Sequence, residues 1–225
     1  MDASTDASTD APTDASGPRW KRRKTARPSE IVAAALEVFA EKGFAAARLE
    51  EIAARAGVSK GALYLYFDTK DDLFRAVVQE AVSPNIDAVR VMTEAFPGPF
   101  ADLAPLILGR VAQIASGSRL PAVAKMVIGE SRNFPDLARV WHEAVVSKAI
   151  GLLSGLIARA QARGEIRPGD PRLYAISLMG PMVIGLLWRE VFEPVGAEPI
   201  DIAALAAQHA RTALHGMLAE PEAAR

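Results

Sequence analysis

The chain has 225 residues, half of them hydrophobic, and is nearly charge-balanced, with 26 Lys and Arg against 27 Asp and Glu. That length gives one small and one medium domain, or one large one, with enough apolar mass for a sizeable core. There is no cysteine, so disulfides, zinc–thiolate centres and thiol catalysis are excluded. A reducing cytoplasm fits, and the acidic, polar start does not read as a secretory signal.

The global balance hides an asymmetry. Asp2, Asp6, Asp10 and Asp14 are followed by Arg19, Lys21, Arg22, Arg23, Lys24 and Arg27. Residues 1–18 repeat an Asp-Ala-Ser-Thr unit with no large apolar side chain after Met1. Such a segment cannot offset the entropy of ordering, so a disordered acidic tail is expected. Residues 19–27 read as a basic arm that seeks a polyanion, with a solubilising run as the bland alternative.

From Pro28 the pattern is helical. Ile31, Ala34, Ala35, Val38 and Phe39 keep the 3.6-residue spacing. Gly43 followed by Phe44 reads as a helix stop. A short helix is expected over 49–56, stopped by Gly57, and another over 60–67, capped by Ser59. Thr69 with Asp71 and Asp72 opens a fourth, with the cap and the acids where the helix dipole favours them.

The remainder, 76–219, is expected to be a second helical unit starting near Ser83 and Pro84, with a short tail over 220–225. Long helices are expected over 135–163, 173–192 and 200–218, with Pro181 kinking the middle one. The longest uncharged run, 173–188, falls short of the ~20 apolar residues a membrane span needs. No segment alternates apolar and polar residues long enough for a strand. The expected class is therefore all-α, with a three-helix N-terminal domain over 28–75.

The informative stretch is the pair of short helices meeting at Ala56-Gly57-Val58-Ser59. Gly57 supplies a left-handed turn that other residues resist, and Val58 plugs the corner. Ile52, Ala53 and Ala56 face inward on one helix, and Leu63 and Phe67 on the next. That leaves Lys60, Ala62, Tyr64, Leu65 and Tyr66 on the outside, a face with two phenols, an ammonium and no acid. Hydroxyls and ammonium groups are good phosphate donors. Gly61 lets backbone come close to a duplex. Lys60 can donate to guanine and Ala62 can touch a thymine methyl.

The run Ala56-Gly57-Val58-Ser59-Lys60-Gly61-Ala62-Leu63-Tyr64-Leu65-Tyr66-Phe67, then Lys70 and Leu73, resembles the signature of TetR-type transcription regulators. The resemblance implies a helix-turn-helix domain followed by about six helices that bind a small-molecule effector and form a homodimer. It implies that Lys60, Gly61, Ala62, Tyr64, Leu65 and Tyr66 face double-stranded operator DNA, that Lys70 clamps a phosphate, and that repression is the default. Members often have Ser or Thr where this chain has Arg48. Arg48 can still hold a phosphate, but the cap is lost.

The second half is less legible. Pocket candidates are Met126, Trp141, Val145 and Met182, with Arg132, Asn133, His142 and Ser177 as polar groups in apolar surroundings; ordinary core is the alternative. Two apolar stripes look too wide for one core and are expected to dimerise. One is Ile176, Gly180, Val183, Leu187 and Val191; the other is Ala206, Ala210, Ala213 and Met217, flanked by Ala203 and Leu214. Two helices from each subunit would then form a four-helix bundle, as the family does, and two recognition helices about one turn of DNA apart would read a palindrome.

An enzyme is the remote reading. There is no glycine-rich phosphate loop, no nucleophile elbow and no His-Glu-x-x-His pair, and His142, His209 and His215 lack metal-ligand spacing. No cofactor, metal or membrane is expected. The nearer rival is a constitutive DNA-binding protein of the same fold with no inducer.

Overall fold

The computed structural model describes residues 28–219; the acidic tail, the basic arm and the last six residues lie outside the described residues. Within them the chain is helical, and the only strand-like pairing is an isolated antiparallel bridge between Ile166 and Leu218.

Helix α1 (Pro28–Ala46) buries Ile31, Val32, Ala34, Ala35, Val38 and Phe39. Gly43, at φ 79° and ψ 175°, interrupts its helical backbone. The interruption turns Phe44 inward, where its ring meets Phe39 at 5.6 Å and Phe74 at 6.0 Å between centroids. Helix α2 (Leu49–Arg55) contributes Ile52 and Ala53 to the same core. Gly57, at φ 70°, then reverses the chain.

Helix α3 (Lys60–Tyr64) ends earlier than the sequence pattern suggests. Leu65 and Tyr66 form a tight turn in which both Tyr66 N–H (3.0 Å) and Phe67 N–H (3.1 Å) donate to the Leu63 carbonyl. Phe67 still reaches the core. Thr69 caps α4 (Lys70–Val77): Asp72 N–H donates to its hydroxyl at 3.0 Å.

The expected break at residues 83–84 is absent. Helix α4 runs through a π-helical turn (Val78–Val82) directly into α5 (Ser83–Glu94). Pro84 lacks an N–H and cannot join an ordinary helical ladder, and a π turn is one way to absorb that. The boundary expected near residue 75 is also blurred. Val77, Val78 and Val82 share one core with α1, with Val123, Met126 and Val127 of α7 (Leu120–Glu130), and with Leu137 and Val140 of α8 (Pro135–Trp141).

A second core lies farther from α3. It joins α6 (Phe100–Gly117), α9 (Ser147–Ala162), α10 (Pro171–Leu187) and α11 (Ile202–Met217) through Leu103, Ile107, Leu108, Leu153, Ile157, Leu178, Met182 and Leu214. Helices α8 and α9 are joined by a π turn (His142–Val146) into the single long helix expected over 135–163. Another π turn (Trp188–Phe192) extends α10. Asp170 and Asp201 cap α10 and α11.

The segments 135–162 and 171–195 are long and apolar enough to cross a membrane by length and composition alone. The first packs on the first core through Leu137 and Val140 and on the second through Leu153 and Ile157, and carries Asp136, Arg139, Glu143, Lys148 and Arg159 along its length; the second packs on the second core.

Candidate functional site

The outer face of α3 is held out by what lies beneath it. Leu63 is fully buried and Phe67 nearly so, while Tyr64 is 40%, Leu65 81% and Tyr66 42% exposed. Ser59 accepts Ala62 N–H at 3.1 Å, which fixes the start of the helix. A Cβ built on Gly61 would meet nothing within 4 Å, so the backbone there is open to a partner. Ala62 is half-buried, a smaller contact than expected.

Lys60 has a partner that the sequence did not announce. Its Nζ lies 2.5 Å from Glu50 Oε1 at the start of α2 and 5.7 Å from the Tyr64 ring centroid. The ion pair holds the Glu50 carboxyl below its ordinary range and raises the Lys60 ammonium. Both groups stand in solvent, where such pairs are weakly held. Lys60 is therefore tethered but free to exchange its partner for a phosphate or a base. Arg48 precedes α2 with its side chain exposed and makes no cap bond.

Lys70, expected to clamp a phosphate, has partners within the chain. Its Nζ donates to the carbonyls of Phe44 (2.6 Å), Ala45 (3.3 Å) and Ala47 (3.1 Å) and sits 4.5 Å from the Phe44 ring centroid. Desolvation pulls its pKa down, and Glu130 and Asp71 oppose that shift. An ammonium with three carbonyl partners braces the end of α1.

A cavity of about 170 Å³ opens where α5, α6, α7, the 142–146 turn, α9 and α10 converge. Of the pocket candidates, Trp141 and Val145 line it, with Val89, Ile107, Leu152 and Met179 among their neighbours. Asn85 is its one polar side chain, and it has no charged one. The other pocket expectations fail on packing. Met126 belongs to the first core and Met182 to the second. Arg132, Asn133, His142 and Ser177 are exposed; His142 instead lies 3.1 Å (Nε2) from Ser147 Oγ.

The two apolar stripes part company. On α11, Ala206, Ala210 and Met217 are buried inside the chain and Ala213 is packed half-buried against the same core. Ala206, Ala210 and Met217 are thus turned into the chain's own core, where α6 packs on them, and are corrected from a dimer surface; Ala203, Ala204 and Ala207 on the same helix stay exposed. On α10, Ile176, Val183 and Val191 are exposed and Gly180 and Leu187 half-buried, with Leu173 and Ile184 extending the surface. Helix α10 is apolar all round, so after Ala175, Leu178 and Met182 fill the core a second apolar face remains.

Comparison with known proteins agrees with this layout. Residues 31–77 match the family model for bacterial regulatory proteins of the tetR family, and residues 100–206 match the tetracyclin repressor-like C-terminal domain. The transcriptional repressor BepR of Brucella suis is 29% identical over 174 residues, spanning 74% of this chain and 83% of that protein. A putative TetR-family regulator from Mesorhizobium loti superposes with a TM-score of 0.72 at 24% identity, covering 88% of this chain and 100% of the other. The transcriptional regulator FadR of Bacillus subtilis, solved with stearoyl-CoA, superposes with a TM-score of 0.71 at 22% identity, covering 84% and 99%.

Proposed function

This chain belongs to the tetR family of bacterial regulatory proteins, and from that premise we propose that it is a dimeric repressor released from a palindromic operator by a small apolar molecule in the cytoplasm. The observation that carries the DNA half is the outward face of α3. Two phenols, an exposed leucine, an open glycine backbone and a tethered lysine stand over a buried Leu63. An interior role for those tyrosines would have buried them.

One α3 of five residues offers too little surface for tight specific binding, so two copies about one helical turn apart are needed. The uncovered α10 stripe supplies a surface for pairing them. Selection from random duplexes tests this reading. It should enrich a two-fold symmetric site, with affinity falling steeply as salt rises. An asymmetric site, or no enrichment, contradicts it.

The chemistry of the cavity narrows the effector. A charge buried among these side chains would be costly without a partner, and the lining supplies none. The effector is therefore uncharged, or inserts only an apolar portion. A void of about 170 Å³ is near the ~150 Å³ size that accepts benzene in an engineered apolar cavity. Stearoyl-CoA binds the FadR neighbour; here an acyl chain suits the cavity, but an anionic head would have to remain outside it. Raised melting temperatures with neutral aromatics or short alkanes, and not with their carboxylates, support this. No response to either would favour the constitutive alternative.

A further inference from the structure

Helix α7 has one face in each half of the molecule. Val123, Met126 and Val127 pack into the core around α1, while Leu120, Pro121 and Ala124 border the cavity. Both ends are fastened to α1. Arg119 Nε lies 3.2 Å from Glu37 Oε2 just before the helix, an exposed pair of little consequence.

The other end is different. The Glu130 carboxylate accepts the backbone N–H of Phe44 at 2.9 Å and of Ala45 at 2.7 Å. These amides belong to the turn that Gly43 opens, and a Cβ at position 43 would come within 2.3 Å of Glu130 Oε1. The carbonyls of the same segment are held by Lys70 from α4. The stretch 43–47, which feeds directly into α2 and α3, is thus gripped on its donors by α7 and on its acceptors by α4. Charge-assisted bonds of this length are about twice as strong as neutral ones and demand good geometry.

We infer that Glu130 is a positioning residue for DNA recognition: it sets the approach of α2 and α3 and transmits movement of α7 at the cavity to the recognition helix. The inference rests on the proposed function. Ala124 and Glu130 are six residues apart, roughly 9 Å along one rigid helix. A ligand that pushes the cavity face of α7 moves the carboxylate with it. A shift of about 1 Å takes a 2.7–2.9 Å bond beyond hydrogen-bonding range, so the turn follows or the clamp opens. Either result re-aims α3. The continuous α4–α5 rod reaches the helix-turn-helix after α3; Glu130 reaches it before α2, so the pair of short helices is held from both sides.

A double-mutant cycle tests this without a known effector, because a cavity-filling side chain replaces the ligand. Affinity is read by anisotropy on a duplex selected with the wild-type protein and on a scrambled one. Glu130→Ala should weaken the selected duplex about tenfold, leave the scrambled one within about twofold and keep the melting temperature within a few degrees, with Glu130→Gln intermediate. Ala124→Phe should weaken the selected duplex about tenfold in the wild-type background and less than about threefold further in Glu130→Ala. If Ala124→Phe does not fold, Ala149→Phe fills the cavity from the α9 wall.

Independent, multiplying effects would overturn the inference. So would equal losses on both duplexes together with a fall in melting temperature, the pattern of a purely structural residue. If the wild-type protein selects no duplex at all, the proposed function itself fails; wild-type binding with an inert Glu130→Ala sinks only the inference.

Discussion

Helices α10 and α11 are adjacent in sequence, similarly rich in small and branched apolar residues, and opposite in fate. Both present an apolar stripe, yet α11 spends its stripe on the core while α10 keeps one face in solvent. What separates them is the exposed large apolar side chains, which α10 has and α11 lacks. Beyond its buried stripe α11 shows Gln208, Arg211, Thr212 and His215 with the small Ala203, Ala204 and Ala207, and no large apolar side chain; α10 shows Leu173, Ile176, Val183 and Ile184. The large apolar side chains of α11 are accounted for by its own chain, whereas those of α10 are not all covered by it.

That contrast is open to attack by substitution. The largest effect is expected at Ala210, which is 1% exposed. Ala210→Asp buries an unpaired charge and should cost ~4 kcal/mol of unfolding free energy, read by denaturant titration at fixed protein concentration. Its counterpart Ile184→Asp, at a residue 61% exposed, should leave the secondary structure intact and halve the mass seen by sedimentation. If Ile184→Asp unfolds the protein, or leaves its mass unchanged, the contrast between the helices is wrong.

Smaller effects are expected in the N-terminal half, where backbone, contact face and cap can be probed one at a time. Gly43→Ala sets a side chain at φ 79° and 2.3 Å from Glu130, which should cost roughly 2 kcal/mol in thermal or chemical unfolding. Tyr64→Ala should lower affinity for the selected duplex about tenfold, or ~1.4 kcal/mol, with the melting temperature held. Thr69→Ala removes the cap on Asp72 N–H and should lower stability by about 1 kcal/mol.

The helix-turn-helix was legible because its helices are short. With Leu63 and Phe67 both turned to the core, little freedom remains over which side chains point outward, so the outward placement of Lys60, Tyr64, Leu65 and Tyr66 followed from spacing even though the helix itself stops at Tyr64. The long helices were placed well too, since proline, glycine and aspartate mark their ends. The cavity was not legible. Whether Met126 or Met179 lines a void is decided by helices distant in sequence, and apolar periodicity is the same in both cases.

Polar partners were missed for the same reason. Lys70 looked like an exposed base opening a helix, yet its carbonyls lie 23 to 26 residues back. Glu130 binds amides 85 and 86 residues away, and its only local sign is an acid ending a helix whose one other charge is Lys125. Glu50 gave no hint over its neighbour Glu51, which is nearer to Lys60 in sequence yet pairs with Lys42 and Arg55.

The central claim is that the outer side of α3 meets the duplex. Amide hydrogen exchange of the intact protein, with and without the duplex it selects, tests this most directly. Protection should concentrate at residues 59–67, with Tyr64→Ala abolishing most of it. Protection confined to the second half, with residues 59–67 exchanging as in the free protein, would contradict it.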